Sequence, residues 1–134
     1  MALQDFNINI KLKLAALWTS VTLCYLYGDY FELYVPQKAE GLVTGDNLLN
    51  SPLNLFLAAF ALSIPAVMVC ASLLLKPAIN KWLNIIFGSF FTLVMLLIAV
   101  TSLVAWREFY VYLALVESIL TTIIVWYSVK WPKE

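Results

Sequence analysis

Tyr25-Leu26-Tyr27-Gly28-Asp29-Tyr30-Phe31-Glu32 sets two carboxylates inside an apolar run, residues 12–35, that is long enough to cross a bilayer. Ionisable groups so placed are expensive, and by default they mark functional positions. Around this run 63% of the 134 residues are hydrophobic and only 12% are charged, whereas roughly a quarter are charged in soluble globular domains. The chain therefore reads as one integral membrane domain over residues 1–134.

Three further apolar runs follow, at about residues 52–75, 82–106 and 109–129. Ser51-Pro52 is a good helix start, with Ser as cap and Pro at the first helical position. Pro65 lies inside the second run, where it removes a backbone hydrogen bond and kinks the helix. Residues 36–51, with Gly41, Gly45 and Asn50, read as the one long loop, and residues 76–81 as a short one with a Lys at each end. Arg107-Glu108 reads as a tight turn, because an unbroken helix from Trp82 to Val129 would run roughly 70 Å, more than twice the hydrocarbon thickness. Lys11, Lys13, Lys76, Lys81, Lys130 and Lys133 fall on one side of the runs, Lys38 and Arg107 on the other. Basic loops stay in the cytoplasm. The expected fold is all-α, an up-and-down transmembrane four-helix bundle with both termini cytoplasmic. No cleavable signal peptide is expected, since the first run carries Asp29 and Glu32.

Composition also excludes function classes. A net charge of zero without histidine argues against a basic nucleic-acid surface. Zinc and iron sites draw on His and Cys, and the chain has no His and two Cys; no metal site of that kind and no cofactor are expected. A carboxylate site for a hard cation stays open. Cys24 and Cys70 lie in different runs at different depths and are not expected to pair.

Residues three and four apart share a helix face, so Trp18, Thr22, Tyr25, Asp29, Glu32 and Pro36 form one polar and aromatic stripe. Ser20, Cys24 and Gly28 form a second, of the small-residue kind that admits close packing. The last run offers Tyr110, Leu113, Glu117, Thr121, Ile124 and Ser128. Counted from the expected outer helix ends, Asp29 lies about 10 Å deep, Glu32 about 6 Å and Glu117 about 12 Å. First and last helices are neighbours in an up-and-down bundle, so Asp29 and Glu117 are expected to face each other. Carboxylates sharing a low dielectric cannot all ionise; they hold protons, hold a cation or open onto water. Arg107 is placed to bend toward Glu32, and tyrosines such as Tyr25, Tyr30 and Tyr110 can donate to a carboxylate.

Lys13-Leu14-Ala15-Ala16-Leu17-Trp18-Thr19-Ser20 together with Tyr27-Gly28-Asp29-Tyr30-Phe31-Glu32-Leu33-Tyr34-Val35-Pro36 resembles an uncharacterised family of small bacterial four-span membrane proteins. The resemblance is close in the first run and general elsewhere. It implies a bacterial inner membrane, marks Trp18, Tyr27, Gly28, Asp29, Tyr30 and Pro36 by position, and carries no activity.

The leading functional expectation is an intramembrane carboxylate site, built on Asp29, Glu117, Glu32, Tyr25, Tyr30, Tyr110, Arg107 and Thr121, that binds or passes a proton, a cation or a small polar solute. Its rival is a structural or accessory subunit whose buried carboxylates set helix register or meet a partner. An intramembrane enzyme on a lipid-like substrate is a weaker third reading, because no nucleophile, metal set or phosphate loop is present. The expected partners are the lipid bilayer and a second copy or another membrane protein, since one apolar surface suits all of them.

Overall fold

The computed structural model describes residues 2–133. They form helices α1 (Ile10–Glu32), α2 (Lys38–Thr44), α3 (Pro52–Leu74), α4 (Pro77–Thr101) and α5 (Glu108–Val129), with no strand among the described residues. Asn9 caps α1, its side chain accepting from Lys11 N at 2.8 Å. Ser51 caps α3 by accepting from Asn54 N at 3.1 Å, with Pro52 in the first turn.

The boundaries depart from the sequence reading at several places, among them the end of α1, at Glu32 and not Val35. The expected long loop contains α2, which follows Gln37 at φ 70° and ends at Gly45 with φ 83°, the left-handed geometry that a glycine adopts without strain. The expected loop 76–81 belongs to a helix: Pro77 starts α4 rather than only ending α3, because a fixed φ and a missing N–H suit the first helical turn. Finally, α4 stops at Thr101, short of residue 106. An antiparallel reversal takes a loop of a few residues, and residues 102–107 supply it, with Trp106 at φ 70°.

Among the described residues only α3, α4 and α5 are long and apolar enough to cross a membrane, which corrects the expected four such spans to three. At 23 residues α1 would run roughly 34 Å, so its composition and not its length keeps it out. Thr19, Ser20, Thr22, Asp29 and its tyrosines lower its hydropathy.

Helix α1 packs against both α3 and α5, while α4 packs on α5. Leu14, Trp18 and Val21 of α1 meet Met68, Phe91 and Ile124 in a buried core, with the Trp18 and Phe91 rings edge to face at 6.2 Å. At the α3–α4 hairpin a fully buried polar cluster ties three helices together. Trp18 Nε1 donates to Asn84 Oδ1 at 2.7 Å, Asn84 Nδ2 donates to Asn80 Oδ1 at 2.6 Å, and Asn80 Nδ2 donates to Ser72 O at 2.7 Å. Further along, α4 and α5 approach closely at Gly88, and Thr92 and Thr121 share a hydroxyl hydrogen bond of 2.6 Å.

Candidate functional site

Beyond the Trp18–Phe91 core the four long helices diverge around a cavity of about 280 Å³. Tyr25, Gly28 and Asp29 of α1 and Tyr110, Leu113, Ala114 and Glu117 of α5 line one side, and Ala61, Leu62, Phe90, Phe91, Val94, Met95 and Ile98 of α3 and α4 line the other. The α1 residues reach it because Tyr25 and Gly28 continue the buried row of Trp18 and Val21 at helical spacing. Tyr25 lies on Phe91, ring centroids 6.0 Å apart.

The two cavity carboxylates occupy different levels. Asp29 is exposed at the rim; because α1 ends at Glu32 and not Val35, it stands about 4–5 Å from the helix end, shallower than expected. Glu117 stands about 14 Å into α5 and is only 4% exposed. Among the described residues neither carboxyl joins an ion pair, and no side chain donates to Glu117. The hydroxyl of Tyr25 is buried and also lacks a partner. Pro65 has no N–H to return to the carbonyl of Ala61, a residue that lines the cavity.

The remaining predicted residues lie elsewhere. Glu32 pairs with Arg107 and, at 3.5 Å, with Lys38, closing the ends of α1 and α5 over one another and leaving Arg107 committed outside the cavity. Arg107 also lies over the Tyr110 ring at 5.8 Å. Tyr30 is exposed, sharing a hydroxyl hydrogen bond of 3.0 Å with Tyr34. Thr121 faces α4 and bonds Thr92, so it serves helix packing and does not line the cavity. Arg107→Ala is expected to cost about 1–3 kcal/mol, because the two side chains are only 25% and 19% exposed and truncation takes a charged hydrogen-bond donor from Glu32; a loss below about 0.5 kcal/mol in chemical unfolding would show that the pair does not tie α1 to α5.

The stripe Ser20, Cys24, Gly28 does not act as a unit: Gly28 is buried near Leu113 and Tyr110, while Ser20 is exposed. Cys24 and Cys70 are both free thiols. The cavity wall on α3 does not stand out in the sequence because that helix is apolar nearly all round, whereas α4 carries a row of small and polar residues, Asn80, Asn84 and Gly88, on its buried side. Asn80 and Asn84 carry a signal, two amides four residues apart before an apolar run, although Asn80 falls in the stretch 76–81 that reads as a loop.

Chemically, the cavity presents an uncompensated buried carboxyl, a second carboxyl at the rim, two phenols and aromatic faces. Among the described residues no three His, Cys, Asp or Glu side chains come together, so the donor set suits a single positive group better than a multidentate metal. No curated protein and no solved structure matches the chain. A family model described as a family of unknown function (DUF6326) matches residues 1–134, and the chain belongs to that family.

Proposed function

We propose that this chain is an integral membrane protein that binds a small organic cation in the cavity between its four long helices, with Glu117 as counter-ion and Asp29 at the rim. The observation that carries the reading is Glu117 itself, 4% exposed and without a partner among the described residues. An ionised carboxylate held out of water costs several kcal/mol unless a proton or a cation compensates it. An ammonium group does so, and the faces of Phe91, Tyr25 and Tyr110 add cation–π attraction.

In this reading α1 crosses the membrane as the fourth helix of the bundle, held there by its packing on α3 and α5. The lysine distribution supports cytoplasmic termini, and the resemblance of the first run supports a bacterial cytoplasmic membrane.

The test is calorimetric titration of n-hexylamine into the protein in phosphatidylcholine nanodiscs. Glu117→Gln is expected to weaken binding at least tenfold, the loss of a desolvated charge pair, and Asp29→Asn by a few-fold because rim charges are screened. Equal binding by wild type and a folded Glu117→Gln variant overturns the reading.

A further inference from the structure

The fold also bears on the shape of the ligand and its route to Glu117. Among the described residues the side-chain hydrogen bonds between α3 and α4 lie at their hairpin end, from Ser72 and Leu75 to Asn80 and Asn84. These two helices touch far less than α1 and α3, α1 and α5, or α4 and α5 do. The cavity lies along this seam, with Leu62 on one edge and Phe90 on the other. Leu62 is 41% exposed and Phe90 54%, so the side chains that wall the cavity also face outward. Both belong to helices apolar enough to span a membrane, and there the outward face meets acyl chains.

A cavity of about 280 Å³ is slightly below the usual size for a drug-sized ligand, roughly 300–1,000 Å³. A short amine fits inside; a longer chain must leave, and the seam is apolar throughout. At the inner end of the cavity stand two polar groups without partners, the Glu117 carboxyl and the Tyr25 hydroxyl.

Resting on the cation reading above, we propose that the seam between α3 and α4 is a lateral portal and that the ligand is an amphiphilic amine taken from the bilayer. Its ammonium sits at Glu117 and its alkyl chain passes between Leu62 and Phe90 into the lipid. A water-soluble amine would use the Asp29 rim instead and gain nothing from a longer tail.

The experiment compares n-butylamine, n-hexylamine, n-octylamine and n-dodecylamine on the full chain in phosphatidylcholine nanodiscs, with affinities referred to the free aqueous amine. Each methylene leaving water is expected to raise affinity roughly fourfold, and the rise should continue through dodecylamine. Leu62→Trp, which narrows the seam, should collapse the ratio of dodecylamine to butylamine affinity at least tenfold; Ala61→Phe serves the same purpose if that variant does not fold. A plateau at hexylamine in the wild type, as a seam closed by lipid-tight packing or by a second copy would give, overturns the portal. The cation reading survives that result when hexylamine binding still requires Glu117. If no amine binds the folded wild type, both proposals fall.

Discussion

Asn84→Ala is expected to destabilise the protein by about 2–3 kcal/mol, measured by steric trapping or SDS unfolding in lipid micelles. The side chain is fully buried and joins three helices: it accepts from Trp18 Nε1 of α1 and, at 3.4 Å, from Ser72 Oγ of α3, and it donates to Asn80 within α4. Truncation leaves the indole N–H and the Asn80 carbonyl oxygen buried without partners, each costing about 1–3 kcal/mol. The total is discounted because helices separated within a membrane find other hydrogen-bond partners. Trp18→Phe removes the same bond from the other side, so the double variant should be less damaging than the sum of the two. A cost below about 0.5 kcal/mol for Asn84→Ala, within the range of ordinary surface changes, would mean that the cluster does not hold α1 to the hairpin.

Gly88→Ala should also lower stability, by about 1–3 kcal/mol as overpacking does. A Cβ at position 88 would stand 2.8 Å from Val125 Cγ2 and 3.4 Å from both Ile124 Cγ2 and the Thr121 carbonyl oxygen. Val125 is β-branched and stiff in a helix, so α4 must back away from α5. That retreat would stretch the 2.6 Å contact between Thr92 and Thr121, which lies one helical turn along from Gly88. Removing the obstructing methyls with Val125→Ala on the Gly88→Ala background should recover most of the loss. A neutral or stabilising Gly88→Ala, or no rescue by Val125→Ala, would show that the two helices do not meet at this point.

The proposed cation site and the asparagine cluster lie at different levels of the molecule. Asn80, Asn84 and Trp18 form a satisfied cluster around the hairpin, whereas Glu117 and Tyr25 stay unpartnered where α3 and α4 part. Buried polar groups with every bond made rigidify a core; those left unmade point to an occupant. One chain thus carries a satisfied polar cluster and a cavity with unpartnered groups on opposite sides of the Phe91 ring.

The sequence by itself determined the helical class, the apolar runs and several helix starts, because these depend on local chemistry: Ser51-Pro52 caps α3 whatever surrounds it. It also singled out Asp29 and Glu117, since a charge in an apolar run is visible without a partner. Tertiary structure decided which side chains share the cavity, that Arg107 is committed to Glu32, that Thr121 turns to Thr92, and that Gly88 rather than Ser20 marks a close helix contact. The physical reason is that lipid tails are as apolar as leucine, so a membrane helix need not keep its apolar residues on one face. On α4 the row Asn80, Asn84 and Gly88 marks the inward side, whereas α3 lacks such a row and only its packing against α1 reveals its inward face.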